Sequence, residues 1–142
     1  MSIILPLAIV MTIASTGQPA DSPELRTLAR DFMSGIETSR EAVVRTSEEW
    51  AALWRQHAGG TPAPAVDFAT STVVGIFLGT RPSAGFQAEI TGVRKDGDGW
   101  VVEWRERRPA RGDVSAQVLT SPAHIVALPK MAGSIRFEKS DT

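Results

Sequence analysis

A stretch of seven residues in the middle of the chain, Thr72 to Leu78, constrains the fold most. It reads TVVGIFL, and its apolar residues fall at both odd and even positions. Successive side chains of a strand point to opposite faces of a sheet, so a strand with this pattern is buried on both faces. The sequence therefore predicts a central strand that is covered on both sides.

Two alternating segments follow and predict a β-hairpin. Phe86 to Arg94 and Trp100 to Glu106 alternate between apolar and polar residues, and KDGDG between them is typical of a turn. With Asp96 to Asp98 as the loop, apolar, ionic and cation-on-ring pairs fall opposite one another. The three pairs are Ile90 with Trp104, Glu89 with Arg105, and Arg94 with Trp100.

An N-terminal helix is predicted after Ser22-Pro23-Glu24. These residues supply an N-cap, a proline at the first helical position and an acid in the first turn. Apolar residues from Leu25 to Met33 then recur at helical spacing, and Gly35 ends the pattern.

A second helix is predicted from a capping box, Thr46 and Glu49, to the stop signal Gly59-Gly60. Its apolar stripe consists of Trp50, Leu53, Trp54 and His57.

Further short strands complete the expected sheet, with prolines marking the breaks between them. They are Val43 to Arg45, Val114 to Thr120, Ile125 to Leu128 and Ile135 to Glu138. The predicted fold class is α+β: a mainly antiparallel β-sheet or sandwich of about six or seven strands, with two helices near the N-terminal side.

Composition narrows the classes of partner and chemistry. The chain has 142 residues, and 15 Lys plus Arg against 16 Asp plus Glu give a net charge of −1. Because the charges are mixed along the chain, neither nucleic acid nor an anionic membrane surface is indicated as a partner. Cysteine is absent, which excludes disulfides, a thiol nucleophile and thiolate metal ligands.

The first residues predict export. Ile3 to Ala14 is an uncharged apolar run followed by small and polar residues, which is the order found in a signal peptide, and it is too short to span a bilayer comfortably. The positively charged residues that usually precede such a run are missing, so a buried N-terminal strand or helix is the alternative. The expected organisation is a leader over residues 1–20, the N-terminal helix and a linker over 21–40, and one domain over 41–139, in a secreted, periplasmic or cell-envelope protein.

The sequence contains residue types used in catalysis, but their spacing matches no known catalytic motif. A hydrolytic triad could draw on His57, His124, the serines and Asp67, but no nucleophile motif occurs. His57 lies on the apolar stripe of the second helix, and His124 shares a strand face with Val126 and Leu128. Both are interpreted as packed, hydrogen-bonded side chains, and two histidines so far apart form no recognised metal site. No cofactor is predicted.

The order of short motifs along the chain resembles the PrcB-like C-terminal domain, named for a subunit of a bacterial protease complex. The motifs are VVRTSEEWAALWRQH, PAVDF, VVGIFLGTRPSAGFQAEI, a hairpin, VLTSPAHIVALPK and a terminal strand with Phe137, over about residues 40 to 139. In that family the loop after the central strand usually has two adjacent glycines and an aromatic residue. Here Ala84 replaces the first glycine, and Phe86 stands where Tyr is more common.

The resemblance implies a non-enzymatic accessory domain whose partner is a protein, in particular a protease. The loop is also similar to one loop of chagasin-type cysteine protease inhibitors, so direct inhibition is an alternative, and a small hydrolase using His124 is another. A purely structural turn is the favoured alternative, since proline presets one torsion and glycine permits a positive φ, which explains these residues without any partner. The candidate partner-binding residues are Thr80, Arg81, Pro82, Ser83, Ala84, Gly85 and Phe86.

Overall fold

The computed structural model describes residues 23–141, and the leader expected over residues 1–20 lies outside them. Seven strands and one helix occur in the described part of the chain. In chain order they are β1 (Arg26–Asp31), β2 (Arg40–Val44), α1 (Ser47–Ala58), β3 (Ser71–Phe77), β4 (Gln87–Asp96), β5 (Gly99–Arg107), β6 (Ala123–Pro129) and β7 (Ile135–Ser140). The predicted α+β, β-rich class is confirmed, with one helix where two were expected.

The strands form two sheets. The four-stranded sheet has the order β1-β6-β3-β2, and each pair in it is antiparallel. The three-stranded sheet has the order β4-β5-β7, in which β4 and β5 are antiparallel and β5 and β7 are parallel.

Three layers result, because both faces of the four-stranded sheet are covered. On β3, Val73 and Phe77 belong to the apolar core shared with α1, whereas Val74 and Ile76 belong to the core between the two sheets. All four side chains are fully buried. The prediction that Thr72 to Leu78 is a central strand covered on both sides is therefore confirmed.

Helix α1 forms as its sequence predicts. The hydroxyl of Thr46 accepts a hydrogen bond from the Glu49 N–H at 3.2 Å and so satisfies one of the free donors at the helix start. The helix ends at Ala58, before Gly59. Its buried residues are Trp50, Leu53, Trp54 and His57, the four of the predicted stripe.

The N-terminal helix predicted from Leu25 to Met33 is wrong, since Arg26–Asp31 is strand β1. This strand pairs with β6, and a register shift between Thr27 and Ala29 disturbs its alternation. Leu28 and Ala29 consequently both pack against the core on the α1 side. Two adjacent inward residues produce a spacing that resembles a helix, and the pairing with a distant strand overrides the local signals.

The strand predicted from Val114 to Thr120 is also wrong. Within that segment only Thr120 makes a β-bridge, an isolated one to Arg81. Val114 and Leu119 are exposed, because no layer of the fold covers them. Alternation of apolar residues predicts a strand only where one face can be buried.

The hairpin of β4 and β5 is confirmed, as are two of its three predicted pairs, Ile90 with Trp104 and Glu89 with Arg105. A bulge between Ile90 and Gly92 then shifts the register by one residue, so Arg94 does not face Trp100. The turn consequently shortens to Gly97-Asp98, with Gly97 at a φ of 59°.

Candidate functional site

The predicted partner-binding loop, residues 80–86, joins β3 to β4 and is fixed along its length by the irregular segment before β6. The Arg81 N–H donates to the Thr120 carbonyl at 2.7 Å, and the Ala84 N–H donates to the Ala116 carbonyl at 3.0 Å. These bonds satisfy backbone groups that a free loop would leave to water. The loop therefore lies at the surface with its backbone held by hydrogen bonds to the segment before β6.

Glycine at position 85 has a structural reason. Gly85 adopts a φ of 98°, and a Cβ there would lie 2.7 Å from the Pro109 ring. Within the loop, Pro82 is exposed at the tip. Ser83, Ala84 and Phe86 are partly buried.

Arg81 attaches the start of the loop to β5 through a buried carboxylate. Its Nε lies 2.6 Å from Oε1 of Glu106, and its Nη1 donates to the Leu78 carbonyl at 2.9 Å. The Glu106 side chain is only 3% exposed, and Lys139 lies 3.3 Å away. Burial by itself would raise the pKa of Glu106, but the hydrogen bond and charge of Arg81, with a contribution from Lys139, hold that pKa below its usual value.

Exposed apolar side chains lie on the segments next to the loop. Met33 bridges to Ser121, and the Phe32 carbonyl accepts from the Ser121 N–H at 2.8 Å, so residues 32–33 run beside Ser121, which follows Leu119 by two residues. Exposed apolar groups on adjacent segments are typical of protein contact surfaces. We call this set the apolar rim; it consists of Phe32, Met33, Val118 and Leu119, which are 44%, 69%, 47% and 65% exposed.

His124 connects the two sheets, as its predicted packed position suggested. Its Nδ1 accepts the Ile90 N–H at 2.9 Å, at the start of the β4 bulge. Nε2 therefore carries the proton of the neutral ring and donates to the Thr27 hydroxyl at 3.0 Å. Burial lowers the pKa of His124 to about 4, and the Arg30 guanidinium adds to this effect, while Glu89 opposes it. Both ring nitrogens are occupied in a structural role.

His57 lies at the centre of a chain of hydrogen bonds. The Ile36 N–H donates to the Ser34 hydroxyl at 3.1 Å, and that hydroxyl lies 2.8 Å from Nδ1 of His57. Nε2 of the ring lies 2.7 Å from Oδ2 of Asp31. With the hydroxyl donating to Nδ1 and Nε2–H donating to the carboxylate, every group in the chain is satisfied. Neither Ser34 nor Asp31 was predicted from the sequence to be a partner of this histidine.

A serine, a histidine and an aspartate in series resemble a hydrolytic triad in composition but not in orientation. A nucleophilic serine must face the substrate, with the acid behind the histidine. Here Ser34 is buried, whereas the Asp31 side chain is 49% exposed. Asp67, the acid considered earlier, instead accepts from the Ala69 N–H in its own turn.

A groove of about 520 Å³ opens beside this network, between β1 and the C-terminal end of α1. We call it the β1–α1 groove. Asp31 and His57 contribute to its wall, whereas Ser34 does not. Most of the remaining wall is apolar and includes Leu28, Phe32, Met33 and Trp54.

Metal-ligand clusters and membrane-crossing helices are both absent from residues 23–141. No group of three or more His, Cys, Asp or Glu side chains is close enough to hold a metal ion. In the same residues, no helix has the length and apolar character needed to cross a membrane.

Comparison with known proteins bears on the segment from β3 to β6. Neither the curated proteins nor the solved structures gave a significant match. A family model described as PrcB C-terminal matches residues 72–129, which include the 80–86 loop, the β4–β5 hairpin and His124. The resemblance to the PrcB-like C-terminal domain is therefore confirmed over residues 72–129.

Proposed function

We propose that this chain is an exported, non-enzymatic accessory domain that associates with a protease or a protease complex. The observation that carries the proposal is the match of residues 72–129 to the PrcB C-terminal family, whose name refers to a protease complex subunit. The family match suggests a protease partner by analogy of fold alone. It does not indicate which surface makes the contact, and that surface is inferred from the residues of this chain.

Two features of the described residues agree with a binding role. The apolar rim exposes four large side chains beside the anchored 80–86 loop. Both histidines are nearly fully buried and hydrogen-bonded through both ring nitrogens. A hydrolase built on His124 would need one of those nitrogens to face a substrate, so this alternative gains no support.

The proposal is tested by affinity capture from the native cell envelope, with the tagged full-length chain as bait and the tag alone as control. We expect one protease to be recovered repeatedly, and the mature chain in that fraction to begin between about residues 15 and 22. Recovery of no protease would contradict the association. Peptide mapping that finds Met1 intact in a cytosolic fraction would contradict export.

Direct inhibition through the 80–86 loop is a second candidate, because Pro82 is exposed at the loop tip. The activity of the captured protease, measured with increasing amounts of the purified chain, separates the two functions. An inhibitor lowers turnover in proportion to the fraction of protease bound. An accessory domain leaves turnover unchanged or raises it.

Substitution at the loop tip tests whether the loop contacts the partner. Pro82→Glu should weaken binding by about thirtyfold if the tip is buried against the protease, because the new charge loses its water there. Its effect on stability should stay within about 1 kcal/mol, since the side chain is exposed and only the turn is relaxed. Titration calorimetry and melting curves measure the two effects.

Ala132→Glu provides the matched control, because Ala132 is exposed near the opposite end of β6 from Thr120. This variant should bind like the wild type. Equal affinity of all three proteins would assign the loop to architecture alone, and the apolar rim would then be the next surface to test.

A further inference from the structure

We infer that the β1–α1 groove binds a basic side chain of a partner polypeptide, with Asp31 as its counter-ion. The inference rests on the proposed function for the identity of the partner, but its chemistry follows from the groove alone. The groove lies outside the segment matched by the PrcB C-terminal family, since β1 and α1 precede residue 72.

The groove combines apolar walls with one charged group. Phe32 and Met33 stand on one side and are 44% and 69% exposed, while Trp54 contributes from α1 on the other. Among the residues that line the groove, Asp31 is the one acidic or basic side chain apart from the imidazole of His57. A long apolar stem that ends in a cation fits such walls, because Arg and Lys lay their methylenes on apolar surface and pair only at the tip.

The Asp31 carboxylate is held in place and still open to a partner. Its Oδ2 bonds to the His57 ring, which is itself fixed through Ser34 to the backbone of Ile36. The side chain remains 49% exposed, and in residues 23–141 its ion-pair partner is His57. A carboxylate that is fixed through one oxygen and half exposed is suited to receive a guanidinium or ammonium group.

Strand β1 supplies a place for the polypeptide that carries this side chain. Among the strands of residues 23–141 it is the outer one of its sheet, and within those residues its one partner strand is β6, so none of them pairs with its other edge. An extended segment that adds to such an edge gains main-chain hydrogen bonds, and its side chains enter adjacent pockets. We therefore expect the basic residue to sit on an extended segment lying along β1.

The test uses a small probe and needs no protease. N-acetyl-arginine methylamide is titrated into the isotope-labelled full chain and followed by backbone and indole N–H shifts, and its neutral citrulline analogue is titrated in parallel. We expect saturable shifts at Asp31, Phe32 and the Trp54 indole, with the citrulline analogue binding roughly fivefold more weakly or worse. Shifts that avoid the groove, or equal binding of the two probes, would overturn the inference without any variant.

Two charge-removing variants assign the effect to one carboxylate. Asp31→Asn keeps an oxygen that can accept from His57, and it should abolish the preference for arginine over citrulline. Asp98→Asn removes an exposed carboxylate at the β4–β5 turn and should leave the preference intact. A preference that survives in Asp31→Asn would contradict the inference. If capture recovers the protease but the arginine probe does not bind, the groove is not the contact and the proposed function stands.

Discussion

Trp54→Ala should lower the free energy of unfolding by about 3 to 5 kcal/mol, the range for truncating a large aromatic side chain in a core. Trp54 is 8% exposed, and its ring centroid lies 5.4 Å from that of Trp50 and 5.1 Å from that of His57. Its indole N–H also donates to the Thr61 carbonyl at 2.9 Å, so the substitution orphans an acceptor in addition to opening a cavity. Urea titration near neutral pH measures the loss.

Arg55→Ala is the matched control for this prediction. Arg55 follows Trp54 in the last turn of α1 and is exposed, so its truncation should change stability by no more than about 0.5 kcal/mol. A loss below about 1 kcal/mol for Trp54→Ala would mean that the packing of α1 on the sheet contributes little to stability.

The second large effect is a dependence of stability on pH that comes from His124. The folded state holds the pKa of this ring at about 4, against 6.5 for an unperturbed histidine, so between these values the unfolded chain binds a proton that the folded chain excludes. Stability is therefore complete above about pH 6.5 and is lost as the pH falls towards 4. The full difference corresponds to about 3 kcal/mol. Its causes are the burial of the ring and the nearby Arg30 guanidinium, both of which disfavour the protonated form.

His124→Asn isolates this contribution, because the Asn oxygen takes the position of Nδ1 and does not titrate. Denaturant titrations of both proteins from pH 4 to pH 7.5 should give a difference that shrinks by about 3 kcal/mol as the pH falls. The other ionisable groups are common to the two proteins, so their contributions cancel in the difference. Parallel curves would contradict the prediction, because they would mean that His124 has the same pKa in the folded and the unfolded chain.

The sequence predicted the elements whose signals are local. The capping box and glycines of α1 lie within the segment that forms it, and the two-sided apolar pattern of β3 needs no knowledge of which layer covers which face. The hairpin register was predictable up to the bulge after Ile90. A bulge adds one residue to one strand and needs no particular residue type, so the register shift beyond it could not be predicted from the local sequence.

Elements that depend on distant partners could not be predicted in this way. β1 forms because it can pair with the edge of β6. Locally, Pro23, Glu24 and the spacing of the apolar residues that follow them favour a helix. Residues 114–119 carry a plausible strand pattern but no layer covers them. In both cases tertiary context decided between two structures that the local sequence permits.

The candidate site was predicted in part for the same reason. Pro82 and Gly85 marked the loop correctly as a turn, because their torsional roles are local. Asp31 and Ser34 were assigned to a helix and its end, so their convergence on His57 was missed. A signal was available: a histidine on a buried stripe must satisfy two ring nitrogens, which calls for polar partners from another segment.

The pairing of β1 with β6 also determines when the chain is able to fold during its synthesis. Arg26 lies opposite Ala127, and β5 lies against β7, so each sheet requires a strand from residues 123–140. Before then only the β4–β5 hairpin and the β2–β3 pair can close, and neither buries a core alone. A nascent chain that still lacks β6 and β7 therefore exposes the apolar residues of both cores, and it is prone to aggregation until these two strands have been synthesised.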